Sequence, residues 1–274
     1  MPNILPDASS SSLRCRIEID KLRKIFLAEG REVVAVDDAS FRINDGEFVA
    51  LLGPSGCGKS TILNMVATLI SRNGGDIKVD GAAVIPGRPI GHVGYVFQKD
   101  TLFPWRTVEG NIGYALELAG VPAEERRTRV AEAIGQAGLQ GFGRFYPSSL
   151  SGGMRQRVSL MRTLIARPEI LLMDEPFGAL DTHTKLDMHS VLLGLWERER
   201  QTVLFVTHDL GEALTLADRI ILMSARPGRV KADFRVDFPR PRDAVKLRET
   251  PQYAELFSRV WHLLGEEFAK GRSV

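Results

Sequence analysis

The chain holds 274 residues, 44% of them hydrophobic and 26% charged, enough apolar content to bury a large core and too much for a disordered polymer. Lysine and arginine total 36 against 34 aspartates and glutamates, so no strong basic field points to nucleic acid, and no uninterrupted apolar run reaches the length of a membrane span. Of the two cysteines, Cys15 and Cys57, the second falls in a glycine-rich loop whose backbone a disulfide would distort, so free thiols in a reducing cytoplasm are expected.

The opening "MPNILPDASSSS" lacks the basic-then-apolar order of an export leader and has too little apolar content to pack, so residues 1–12 are expected to be a disordered tail. Short alternating runs follow, "RIEIDKL" and "VVAVDDASFRI", the pattern of antiparallel strands with one face buried. "EFVALL" is continuously apolar and ends in glycine, as a strand covered on both faces does. "KSTILNMVATLIS" has helical spacing and is expected to run until "NGG" supplies a left-handed cap. Strands are expected at "DIKVDG" and "VGYVF", and a helix-rich stretch from about Thr107 to Gly138. After "LSGG", Met154, Val158, Met161 and Ile165 recur at helical spacing. "EILLMDEP" and "TVLFVTHD" are two further buried-strand runs, each leading through a polar turn into a helix. "ARPGRVKADFRVDFPRPRD" reads as strand and proline-rich linker, and "PQYAELFSRVWHLLGEEFAKG" as an amphipathic helix. The strand–turn–helix rhythm predicts a mostly parallel sheet flanked by helices.

Chemistry concentrates at the strand ends. "GPSGCGKST" follows a buried strand and opens a helix, the context a Walker A loop requires. Its glycines let successive amides turn toward one point, and the helix N-terminus adds positive partial charge, so Gly53, Pro54, Ser55, Gly56, Cys57, Gly58 and Thr61 form an anion cradle. Lys59 is expected to reach the β and γ phosphates of ATP and Ser60 to ligate Mg²⁺. Asp174 ends a strand where it can hold the metal, and the adjacent Glu175 is placed to polarise the attacking water. Taken alone "DEP" is an ordinary turn; the Walker A loop gives it its meaning. His208 and Gln98 each end a strand as well, where the ligand crevice of an open α/β sheet lies; the histidine suits the γ-phosphate or the water, the glutamine the metal and the water. Ser151, Gly152 and Gly153 open a second helix suited to a phosphate, or serve only as its cap.

These motifs together make the chain resemble the ATP-binding subunit of an ABC transporter, whose signature is LSGGQ. The resemblance implies a P-loop NTPase core of α/β class with an antiparallel β subdomain and an inserted helical subdomain at about 100–165, an ATPase domain over 13–240, and a C-terminal helical extension over 241–274. It further implies a head-to-tail homodimer in which Ser151, Gly152 and Gly153 of one subunit close over ATP held by the other. By family role Gln98 is the Q-loop residue, Asp181 in "GALD" belongs to the D-loop joining the two sites, His208 is the switch histidine, and Phe26 stacks on adenine, core packing being the alternative for that ring.

Three residues depart from the family pattern: Met154 for the usual Gln of the signature, Gly178 where Ser is frequent, and Thr68 where Gly is frequent. None removes a phosphate donor or the carboxylate, so turnover is expected. "FQKDTLFPWRTVEGNI" and "SARPGRVKADFRVDFPRPRD" are similar to the nitrate, sulfonate and taurine importers. That implies permease partners, a solute-binding protein acting through them, a peripheral place on the cytoplasmic face of the inner membrane, and a small anionic solute. Phe103, Pro104 and Trp105 would meet the permease if exposed, or form a buried aromatic cluster. A soluble ABC-type ATPase acting on nucleic acid or ribosomes is the alternative, but it would carry long coiled coils or two cassettes. A nucleotide-binding regulator without turnover is a third reading, against which the intact Glu175 and His208 speak.

Overall fold

The computed structural model of the protein describes residues 14–271, so the expected tail lies outside it. Two long strands, β1 (Cys15–Ala28) and β2 (Arg31–Asn44), pair antiparallel. β4 (Gly74–Val79) joins the other edge of β1, and the two-residue β5 (Ala82–Ala83) completes a sheet of order β2-β1-β4-β5.

The second sheet carries the chemistry. Its strands are β3 (Phe48–Leu52), β6 (Val93–Val96), β7 (Ile170–Asp174), β8 (Thr202–Thr207), β9 (Arg219–Met223) and β10 (Val230–Arg235), in the order β10-β9-β3-β8-β7-β6. All pairs are parallel except β9 with β10. Every residue of β3, β7 and β8 is buried, which is why these strands read as unbroken apolar runs. Period-2 alternation divides them between two cores: Phe48, Ala50 and Leu52 pack on one side of the sheet, Val49 and Leu51 on the other.

The second of those cores is sandwiched between the two sheets and includes α1 (Lys59–Val66), which buries Ile62, Leu63, Met65 and Val66. This helix is shorter than its spacing suggested. It stops at Val66 because Thr68 turns into the left-handed region at φ 67°, well before the glycines of "NGG". Gly75, φ 73°, serves another purpose: a Cβ there would meet the Lys21 carbonyl at 2.3 Å, so it allows β4 to approach β1.

The other core continues into a helical region built from α2 (Val108–Ile112), α3 (Tyr114–Leu118), α4 (Ala123–Gln136) and α5 (Gly152–Leu164), with Val108, Ile112, Val130, Ile134, Val158 and Met161 in one apolar cluster with the sheet. α6 (Thr182–Glu199) and α7 (Leu210–Leu216) lie on this side too, and α8 (Pro251–Gly271) buries Val260 and Leu264 there. No helix among the described residues is long and apolar enough to cross a membrane.

Candidate active site

Register brings the site together. β3 pairs with β8 so that Leu52 faces Thr207, and β7 with β8 so that Asp174 faces Val206; the phosphate loop, the two carboxylates and His208 therefore leave the sheet at one level. Gly56 and Gly58 take φ of 76° and 99°, the second as the residue that opens α1. A side chain at Gly58 would strike the Ala35 carbonyl at 2.7 Å, so the residue must be glycine on space as well as on φ.

Lys59 is buried and its ammonium donates to the carbonyls of Gly53 (2.8 Å) and Pro54 (2.9 Å), which holds the cation beneath the loop. Cys57 lies buried beside it, and burial pushes its thiol up from the ordinary range. The Ser60 hydroxyl donates to Asp174 Oδ1 at 2.8 Å. Burial raises the Asp174 carboxyl, and the Ser60 hydrogen bond opposes that shift. A hydroxyl and a carboxylate side by side are hard oxygen donors of the kind Mg²⁺ accepts while keeping most of its waters. Among the described residues no group of three His, Cys, Asp or Glu side chains makes an all-protein metal cage.

Glu175 stands one residue further on at φ 44°, a left-handed conformation that costs a non-glycine residue energy and is found where a site is held in place by its surroundings. Its amide donates to the Val206 carbonyl at 2.9 Å. Gln98 Nε2 (3.2 Å) and His208 Nδ1 (3.1 Å) both reach the same oxygen, Oε2. Oε1 is left to other partners. The structure thus gathers Ser60 with Asp174, and Gln98 and His208 with Glu175.

The remaining residues stand elsewhere. Phe26 is 40% exposed with the Lys24 ammonium 5.0 Å from its ring centroid, so it is a surface aromatic and not a core one. Ser151 caps α5 by accepting from the Met154 amide at 3.2 Å, and Gly153 lies against Ala179 and Leu180. Asp181 caps α6 by accepting from the Thr184 amide, and the Thr184 hydroxyl together with that amide holds its carboxyl below the usual range. Trp105 is 71% exposed and packs 5.5 Å from Phe103, itself 4.8 Å from Tyr114, so these rings form an outward aromatic patch.

Sequence reasoning missed the supports. Thr207 donates to the buried Glu212 at 2.6 Å, Lys185 pairs with Glu212 at 2.8 Å, and Asp209 caps α7; this brace fixes the turn that carries His208. Asp209 and Glu212 have the spacing of a capping box, a signal available in "THDLGE". Asp100 pairs with Arg155 of α5 at 2.9 Å and Thr101 accepts from Arg162, tying the segment after Gln98 to the helix opened by Ser151. Fully buried Asn111 bonds the backbone of Phe103, Arg106 and Thr107, fixing the patch around Trp105. The Lys185–Glu212, Asp100–Arg155 and Thr101–Arg162 pairs span too much sequence for a spacing rule to find.

Comparison with known proteins gives a consistent answer. The ABC transporter family matches over residues 36–178. A taurine import ATP-binding protein of Rhizobium johnstonii is 44% identical over 253 residues, covering 90% of this chain and 96% of that protein. A nitrate import ATP-binding protein of Synechocystis is 38% identical, covering 90% and 94%. Among solved structures, a dimeric ATP-binding cassette in a post-hydrolysis state with ADP and Pi superimposes with a TM-score of 0.73 at 31% identity, over 81% of this chain and all of that one.

Proposed function

Because the chain belongs to the ABC transporter family, among its import ATP-binding subunits, we propose that the loop at 53–61 and the carboxylates at 174 and 175 form the site where it hydrolyses ATP. The chain is the ATP-hydrolysing motor subunit of an importer. The observation that carries the site assignment is the convergence of Gln98 and His208 on one oxygen of Glu175, beside the Ser60–Asp174 pair.

Lys59 exchanges the carbonyls of Gly53 and Pro54 for the β and γ phosphate oxygens, while the loop amides cradle the chain of phosphates. Ser60, Asp174 and Gln98 would hold Mg²⁺, which would supply neutralisation of the phosphate charge when bound. Glu175 accepts a hydrogen bond from the attacking water at Oε1, its other oxygen being fixed by Gln98 and His208. A polarised water and a stabilised γ-phosphoryl group are what hydrolysis requires. Phe26 offers its exposed ring to adenine.

Ser151, Gly152 and Gly153 serve the nucleotide of a second copy in a head-to-tail homodimer, as befits an exposed helix start whose own chain supplies a complete loop elsewhere. ATP then favours the closed dimer, and the Asp100–Arg155 and Thr101–Arg162 links carry that change to the Q-loop segment. The aromatic patch of Phe103 and Trp105 meets the permease, on the cytoplasmic face of the membrane. The solute is a small anion of the sulfonate or nitrate class, delivered by a solute-binding protein.

Substituting Glu175→Gln tests the assignment. Hydrolysis should fall at least about 100-fold, while ATP binding persists and light scattering detects an ATP-dependent dimer. Wild-type turnover in that variant would assign the water to another group.

A further inference from the structure

The turn between β9 and β10, Ser224 to Arg229, has no part in the site as described, yet it is built into the phosphate loop. Arg226 donates from Nε and Nη2 to the Gly56 carbonyl at 3.2 and 3.1 Å. Two residues on, Gly228 lies so close to the loop that a Cβ would fall 1.9 Å from the Cys57 carbonyl. Gly228 is also bonded on both sides to β2, its amide to Ala35 and its carbonyl to the Asp37 amide, each at 3.0 Å. The turn is therefore wedged between β2 and the loop.

Its other side is held by the C-terminal helix. Glu267 of α8, 2% exposed, accepts from the Ala225 amide at 2.8 Å through one oxygen. Its second oxygen takes the ammonium groups of Lys231 and Lys270, each at 2.8 Å. A carboxylate with every partner supplied is a rigid post. A continuous path runs from α8 through Ala225 and Arg226 to Gly56.

We propose that α8 sets the affinity of the phosphate loop for ATP through this path, with Arg226 as a positioning residue. The proposal rests on the reading that the loop binds ATP. In a trans peptide the carbonyl and the following N–H point in opposite directions. Holding the Gly56 carbonyl outward thus directs the Cys57 amide to the inside of the loop, where it sits 3.4 Å from the Pro54 carbonyl. That is the direction an amide must face to meet a phosphate oxygen. Releasing Arg226 lets the peptide plane rotate before nucleotide arrives, and the reordering is subtracted from binding.

The test uses the full-length chain and MgATP, measuring equilibrium affinity with a fluorescent ATP analogue beside kcat and KM. Arg226→Ala should raise Kd and KM about fivefold, with kcat within about twofold of wild type. Arg226→Lys, which keeps a donor, should recover part of the loss. Glu267→Ala, which leaves the Ala225 amide unpaired, should give a similar shift, while Glu267→Gln, which keeps an acceptor, should bind more tightly than Glu267→Ala. The double variant Arg226→Ala with Glu267→Ala should be no weaker than the worse single one, since both cut one path. Wild-type affinity in Arg226→Ala, or additive losses in the double variant, overturns the proposal. Unchanged affinity in Lys59→Ala would instead show that the loop assignment itself is wrong.

Discussion

At the scale of single residues, backbone conformation explains what sequence pattern alone left open. Thr68 holds φ 67° as a β-branched residue, a conformation that costs an L-residue on the order of 1 kcal/mol. It ends α1 early without touching the phosphate donors. Gly228 is the more telling position, since the Cys57 carbonyl of the phosphate loop occupies the space a side chain would need. Gly228→Ala should lower both thermal stability and ATP affinity, because the phosphate loop has to move; overpacking of this kind costs about 1–3 kcal/mol. Thermal unfolding and nucleotide titration of the variant check this together. Normal affinity with an unchanged Tm would mean that the turn and the loop are free to separate.

At the scale of elements, α6 carries an unexpected group. His189 is fully buried, sits edge-on to Phe177 with centroids 4.7 Å apart, and neither ring nitrogen has a hydrogen-bond partner. Burial pushes its pKa down to about 3, with the positive charges of Arg248 and Lys185 acting in the same direction. The unfolded chain binds a proton here below about pH 6.5, and the folded chain does not until about pH 3. Stability contributed by this site is therefore lost as pH falls through that window. Urea unfolding of His189→Leu should show a smaller stability loss between pH 7 and pH 5 than wild type, by about 2 kcal/mol. Parallel pH profiles for the two proteins would contradict a neutral buried ring.

At the scale of the whole molecule, the question is how one chain uses two helix starts suited to phosphate. The phosphate loop is complete within the subunit, and the Ser151 helix points its hydrogen bonds into its own first turn. A head-to-tail dimer makes a sharp prediction for mixtures. Lys59→Ala has a defective loop and an intact signature; Ser151→Arg has the reverse. Each alone should be inactive, and mixing them should restore about a quarter of wild-type ATPase, because half of the dimers are hybrids with one intact site of two. No recovery on mixing, from subunits shown to exchange, would place both helix starts in the service of one chain.

What the sequence by itself determined is whatever local chemistry specifies. The unbroken apolar runs became β3, β7 and β8 because a strand covered on both faces needs no polar alternation. The glycine-rich loop, the strand-end carboxylates and the helix over Pro251–Gly271 were readable for the same reason: spacing within a few residues encodes them. Only the tertiary structure decided which strand lies beside which, and hence that Gln98 and His208 share one oxygen of Glu175. It alone revealed the brace of Lys185 and Glu212 under His208, and the contact of Arg226 with Gly56 across 170 residues. Such pairs depend on the packing of separate elements against a common core, and no periodicity along the chain records that distance.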